Sequence, residues 1–395
     1  PGGKIMSKFL NLYVIAIAGI FLLIATGWAT EETRTVVDGR GVAVTVPAQI
    51  DRVVTVSAGI IEGTMYVLGE ADKIVGVGSV CSQKVSNYTI TTANGTLKGE
   101  GGMNPVAYLS PRLQNLPLLG SGTDMNFEKL AGLDPDLVII RACGCNVASM
   151  EDESTQKTIR TIEGLGIPVV VLQGPTCFDE PNLLAMSDEI RIIGKVFGKE
   201  ERAEKLADYL ESQTEVVFDR TKDIPDSEKQ SVLIFGASPN SRKAGGAGMV
   251  RGTDTIESYF IEKIVHAKNA FRDTGRPTIS AEQLLSLNPD AMVLDTANGY
   301  HPPEELYSAP YYQNVGELSA VKDHRVFSLP WTCCSTKRLE YPIEVMVIAK
   351  AAYPERFSDI DLEEWLIEFF KNVYDVDNET AKALISTQWM DWCVK

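Results

Sequence analysis

Short apolar runs alternate with amphipathic stretches along most of the chain. RVVTVS from Arg52, KIVGVGS from Lys73, DLVIIRA from Asp136 and PVVVLQG from Pro168 are apolar at nearly every position, the pattern of strands buried on both faces. Helical spacing appears between them, in IIEGTMYVLGE from Ile60 and over residues 153–165. Strands of that kind separated by helix-length segments predict parallel βα units. The rhythm restarts with SVLIFGA at 231–237, a helical segment over 254–265, AMVLDTA at 291–297 and RVFSLPW at 325–331, so two α/β lobes are expected. Between them Ile190, Ile193, Val196 and Phe197, then Ala203, Leu206, Ala207 and Leu210, recur at i, i+3, i+4. This spacing predicts one long helix or two abutting ones, with Gly194 and Gly198 as weak points. A helical tail from Ile343 to about Val373 is expected to close the second lobe. The resulting division is an N-terminal segment 1–30, a first lobe 31–181, an interlobe helix 182–222 and a second lobe 223–395.

The N-terminal segment places the rest of the chain outside the cell membrane. Lys4 and Lys8 precede an apolar run over 12–25, and the small residues Thr26, Gly27, Ala29 and Thr30 follow. That is the order of a secretory signal; over 9–28 the run is also long enough for an uncleaved anchor. No cysteine lies near it, so a lipid anchor on cysteine is not expected. Three N-x-[ST] sequons, at Asn87, Asn94 and Asn378, acquire meaning in an exported chain. With 37 Lys plus Arg against 53 Asp plus Glu, the formal charge of −16 repels polyanions, and nucleic acid is not an expected partner. Only three histidines are present and none has zinc-protease spacing. No nucleophile elbow or phosphate-cradling loop appears, because Gly245, Gly246 and Gly248 lack the Lys-Ser/Thr that follows in such a loop. The chain is therefore not expected to be an enzyme and no catalytic cofactor is implied.

Ligands of open α/β sheets bind beyond the carboxyl ends of the strands. The residues there are Ser57, Cys81, Arg141, Cys143, Cys145 and Cys177 in the first lobe, and Arg242, Lys243, Tyr300, His301, Trp331, Cys333, Cys334, Lys337 and Arg338 in the second. Six of the seven cysteines fall in these loops, whereas cysteines acting only as small buried hydrophobes belong inside strands and helices. Three readings stay open for them: disulfides, favoured by export and expected between loops of one lobe; metal ligation by Cys143, Cys145, Cys333 and Cys334, since thiolates suit soft metals; and buried thiols. The arginines and lysines offer positive charge to an anionic chelate, or merely solvate a rim. Tyr300, Trp331 and Phe178 offer flat faces to an aromatic or macrocyclic ligand, with core packing as the alternative. His301 supplies an axial nitrogen only if it points inward.

The ordered landmarks carry a family resemblance. They are residues 35–47 (TVVDGRGVAVTVP) with Asp51-Arg52-Val53-Val54, Glu62 to Gly69 before Lys73-Ile74-Val75-Gly76-Val77, and Asn126-Phe127-Glu128 through Pro135-Asp136. In the second lobe Ile279-Ser280-Ala281-Glu282 with Asn288-Pro289-Asp290, Ala320-Val321-Lys322, and residues 349–357 complete the set. From about Thr35 to Leu384 the chain resembles the ABC-transporter substrate-binding proteins of the iron-siderophore, haem and cobalamin class. The resemblance implies an α/β fold of two Rossmann-like lobes joined by a long interlobe helix, the class III periplasmic-binding-protein fold, holding an iron or other metal complex in the cleft. It implies delivery to an ABC permease dimer, with Glu128 and Glu282 docking one lobe each, and an exported protein that works as a monomer. Two departures are noted. Residues 82–117 are an insertion rich in Gly, Asn, Pro and Thr, read as a lid or a glycosylated surface loop, and His266-Ala267-Lys268-Asn269 replaces a Gly-Gly-x-Asn turn, making His266 structural. A chelatase-like enzyme on the same architecture and a surface structural glycoprotein are the alternative functions.

Overall fold

The computed structural model describes residues 32–121, 124–144, 147–243, 248–296, 299–334 and 336–394. The signal-like segment and Cys145 lie outside the described residues. The described chain opens with an antiparallel hairpin of β1 (Thr33–Val37) and β2 (Ala43–Pro47). It runs through β3 (Val53–Val56) and β4 (Ile74–Val77), leaves for a second hairpin of β5 (Ser86–Thr92) and β6 (Gly95–Gly102), and returns through β7 (Leu137–Ala142) and β8 (Val169–Gln173). β3, β4, β7 and β8 form a parallel sheet in the order β4-β3-β7-β8. Every residue of β3 and β7 is buried, as their unbroken apolar runs require.

The second sheet contains β9 (Ser231–Gly236), β10 (Gly248–Val250), β11 (Lys268–Asn269), β12 (Thr278–Ile279), β13 (Ala291–Leu294) and β14 (Val326–Ser328). Its order is β12-β10-β9-β13-β14, with β11 beside β9. The strands predicted from apolar runs, β9, β13 and β14, are parallel; the short antiparallel β10 and β12 extend one edge. His266 is structural in its geometry: it takes a left-handed φ of 53°, its Nδ1 lies 3.1 Å from Thr221 Oγ1, and its carbonyl accepts the Tyr353 hydroxyl at 2.9 Å.

Between the sheets the chain forms two helices, Leu184–Phe197 and Glu200–Thr221. Gly198 breaks the run by adopting a left-handed φ of 65°, a conformation that costs glycine little. The expected helical tail is present as separate helices. Tyr341–Ala352 ends before the turn Pro354–Phe357, where proline cannot donate a helical hydrogen bond, and Leu362–Tyr374 and Asn378–Thr387 follow. These last helices also return to the first lobe: Tyr374 packs on Tyr66 with ring centroids 6.0 Å apart, and Met103 N donates to Thr387 O at 3.2 Å. Among the described residues no helix is long and apolar enough to cross a membrane.

The insertion is more ordered than a surface loop. β5 and β6 form a two-stranded arm that reaches the second lobe, where Ala93 N donates to Ser308 O at 2.8 Å. Trp389 holds it: the indole donates to Glu100 O at 3.2 Å, and the ring meets Tyr88, Tyr300 and Trp331 at centroid distances of 5.7, 5.3 and 5.5 Å. Gly102 is required beneath this ring, because a Cβ there would overlap Trp389. Both sequons of the arm, Asn87 and Asn94, are exposed. Trp389→Ala is expected to cost about 3–5 kcal/mol and to open residues 86–102 to limited proteolysis, with Trp389→Phe largely protected. Equal cleavage of all three proteins would show that the indole does not anchor the arm.

Candidate binding site between the lobes

The segment after β14 in the second lobe meets the loops at the carboxyl ends of β3 and β7 in the first. Its anchor is Arg141, the last polar position of a strand that is otherwise apolar. The guanidinium is 1% exposed. Nε and Nη2 donate to the two Glu189 carboxylate oxygens at 2.6 Å each, and Nη1 donates to the carbonyl of Lys337 in the other lobe, also at 2.6 Å. Lys337 is itself buried, with its ammonium 2.8 Å from Glu257 and 2.6 Å from Glu344. Arg338 donates to Trp331 O and Gln388 Oε1, both at 2.9 Å, and its Nε lies 3.5 Å from Glu340. Charges taken this far from water persist only when paired and fully hydrogen-bonded.

The expected cationic lining is thereby corrected. Arg141 and Arg338 balance internal carboxylates, and Arg242 does likewise, donating from Nε to Glu305 at 2.6 Å. Only Lys243 of that group is exposed. His301 is 1% exposed, with Nδ1 2.6 Å from Glu305 and the ring beside Phe235 and Tyr312, so it lies in the second-lobe core and not at an axial ligand position. Tyr300 and Trp331 are engaged by Trp389, whereas Phe178 is exposed. Ser57 serves the helix Ile60–Leu68: its hydroxyl donates to Glu62 at 2.5 Å and accepts from Gly59 N at 3.1 Å and Ile61 N at 3.3 Å.

The cysteines divide into two chemistries. Cys143 and Cys177 form a disulfide between neighbouring loops of the first lobe, and Cys334 is also disulfide-bonded. Oxidised sulfur cannot serve as a thiolate ligand, so Cys143 and Cys334 are removed from the metal candidates. Cys81, buried, and Cys333, half-buried, lie outside the Cys143–Cys177 bridge. The Cys81 side chain lowers the Cys333 thiol to about 7 against the opposing effect of burial, with Lys84 and Arg338 helping, and Cys333 and burial raise Cys81 well above an ordinary thiol. Among the described residues no group of three or more His, Cys, Asp or Glu is placed to hold a metal ion.

Sequence reasoning missed Glu189, Glu257, Glu305, the buried Arg251–Asp295 ion pair and Trp389. Glu189 had a usable signal, since it lies on the helical stripe of Met186, Ile190 and Ile193, where an unpaired carboxylate is not tolerated. Glu128 and Glu282, by contrast, sit exposed in corresponding first turns. Asn126 caps Phe127–Gly132 and Ser280 caps Ala281–Leu287 through a capping box.

Burial opposes ionisation of Glu257 and Glu305, but Lys337 and Arg251 hold the first down to about 2, and His301 and Arg242 hold the second there. Their folded values lie below the ordinary 4.5, so their contribution to stability is complete above pH 4.5 and is lost as pH falls toward 2. Acid titration followed by circular dichroism is expected to steepen over that window, and Glu257→Gln and Glu305→Gln to flatten it. Iodoacetamide should alkylate Cys333 with a half-maximal rate near pH 7, well ahead of Cys81 and Cys393; a midpoint near 9 would contradict the lowered Cys333 thiol.

The chain is 25% identical over 378 residues to the molybdate-binding protein MolA of Haemophilus influenzae, covering 89% of this chain and 94% of that one. The solved MolA structure with molybdate superposes with a TM-score of 0.62 at 22% identity, over 87% of this chain and 98% of that one. An uncharacterised ABC transporter substrate-binding lipoprotein of Bacillus subtilis, YvrC, is 25% identical over 74% of this chain and 77% of its own. The Fe(3+)-citrate-binding protein YfmC of the same organism is 22% identical over 53% of this chain and 58% of its own. The match to the periplasmic binding protein family itself runs over residues 53–331, from the first strand of one sheet through the tip loop of the last strand of the other, and the chain belongs to that family.

Proposed function

We propose that the protein is the extracytoplasmic solute-binding component of an ABC importer, taking a metal-bearing small molecule between the tips of its two sheets and handing it to the permease dimer. The observation that carries this reading is the meeting of the segment after β14 with strand-end loops of the first lobe, where Arg141 reaches Lys337 and Arg338 lies against Gly59. Relatives named for molybdate and ferric citrate support a metal species as the solute. A metal complex of iron or another metal suits the lining better than a bare anion. The guanidinium and ammonium groups of Arg141, Arg242, Lys337 and Arg338 are already matched by carboxylates, with which a free anion would have to compete. The role is binding without chemistry, by a monomer outside the cytoplasmic membrane that is held there only if its N-terminal segment is retained.

Glu128 and Glu282 fit the docking role because each is an exposed carboxylate on a rigid, capped first turn, one per lobe, available to basic residues of a permease.

Purification from native medium followed by elemental analysis and an absorption spectrum tests the cargo. Near-stoichiometric metal is expected, and a protein that carries none and is not thermally stabilised by ferric citrate, haem or molybdate would overturn the reading. Glu128→Lys with Glu282→Lys should lower uptake at least tenfold while solution affinity is retained. Parallel loss of affinity would assign these residues to the fold or the ligand instead.

A further inference from the structure

We propose that Asn94, at the tip of the β5–β6 arm, is a glycosylation site that takes an oligosaccharide from a lipid-phosphate donor outside the membrane, and that the fold denies the same chemistry to Asn87 and Asn378. All three asparagines stand in N-x-[ST] sequons and all three are exposed. An acceptor has to offer its carboxamide nitrogen to the donor and the hydroxyl two residues on to the same enzyme, so both groups must be free and presented together. The three sequons lie in three different backbones. Asn378 opens the helix Asn378–Thr387, where side chains two positions apart point about 200° from each other. Thr380 is also half-buried, with its N–H held by Asp377 Oδ1 at 2.8 Å. Asn87 lies in β5 where the register slips between Ser86 and Tyr88, and its side chain closes the gap, Oδ1 accepting from Gly101 N at 2.8 Å. Turning that carboxamide into an enzyme would break the bond. Asn94 is different: with Ala93 it forms the two-residue loop between Thr92 and Gly95, which pair across the strands, and Gly95 takes a φ of 131° that costs glycine little. Asn94, Gly95 and Thr96 are all exposed, and among the described residues none bonds to the Asn94 carboxamide or the Thr96 hydroxyl. The tip is nonetheless held in place, by Ala93 N on Ser308 O at 2.8 Å and by Thr92 Oγ1 on Gly95 O at 3.1 Å.

In the transfer, Asn94 Nδ2 bonds to C1 of the sugar at the reducing end of the donor. The C1–O bond to the lipid phosphate breaks, and the phosphate leaves with that electron pair and takes up the proton lost by the nitrogen. Nothing is oxidised or reduced. The step rests on export of the chain and is independent of what the cleft binds. The sugar stands one residue from the Ala93–Ser308 contact, over the line where the arm meets the second lobe, and shields the end of a two-stranded sheet whose edge groups would otherwise be open to pairing with other chains.

The test isolates the chain from the extracytoplasmic fraction of its native cells and maps its peptides by mass spectrometry with electron-transfer fragmentation, which leaves sugars attached. A glycan on Asn94 is expected, with Asn87 and Asn378 bare. Produced in the same cells, Asn94→Gln and Thr96→Ala should each run on a denaturing gel as the faster, sugar-free form. Thr96→Ser should keep the glycan, and Asn87→Gln and Asn378→Gln should run as the parent. Circular dichroism spectra matching the parent separate loss of the acceptor from loss of the fold. Exported protein with a bare Asn94, or with Asn94 altered only by deamidation, would overturn the proposal while leaving the solute-binding reading intact, and a glycan on Asn87 or Asn378 would overturn the selection by the fold. Recovery of the chain from the cytoplasm alone would overturn it together with the export on which it rests.

Discussion

Burial of the Arg141 guanidinium is the constraint on which the geometry between the lobes depends. Placed at the end of an apolar strand, it cannot be hydrated, so it must find a carboxylate and further acceptors within the protein. Glu189 supplies the carboxylate from the helix linking the lobes, and the Lys337 carbonyl supplies the remaining acceptor from the opposite lobe. One side chain thus fixes strand, connecting helix and distant loop at once. Lys337 extends the same logic through Glu257 and Glu344, and its ammonium also lies 5.4 Å from the Phe260 ring. Such pairs do not add much net stability relative to an apolar replacement, but each is strict about geometry, since a lost partner leaves a charge stranded.

A second brace works by packing. Trp389 sits where the insertion arm, the loop carrying Tyr300 and the segment carrying Trp331 converge, and its one polar atom is satisfied by Glu100. The arm belongs to the first lobe in sequence and leans on the second in space. Two contacts therefore hold the lobes together, one ionic and one aromatic. The acidic surface charge and the internally balanced cleft are consistent with each other: the basic residues nearest the site are committed to holding the protein together.

Local pattern is what made the architecture readable. Strands buried on both faces are apolar without interruption, and helices between them repeat at 3.6 residues, so β3, β4, β7, β8, β9, β13 and β14 were legible one segment at a time. The break at Gly198 was visible as a glycine in a helical stripe. Elements built from few residues were not legible: β10, β11 and β12 contain three or two residues each and owe their form to the edge they join. The β5–β6 arm escaped for a different reason, since its glycines look like loop until the Trp389 ring that needs them is in place.

The sequence by itself determined the two-lobed α/β plan, the strand-end positions of the cysteines and arginines, and the family to which the order of landmarks belongs. Tertiary structure alone decided which of those groups face a ligand and which face each other. Arg141 meets Glu189 across 48 positions and Lys337 across 196. Periodicity reports the environment of a segment, whereas the fate of a charge or a thiol depends on its partner, and partners so far apart in the chain are chosen only when the two lobes are brought together.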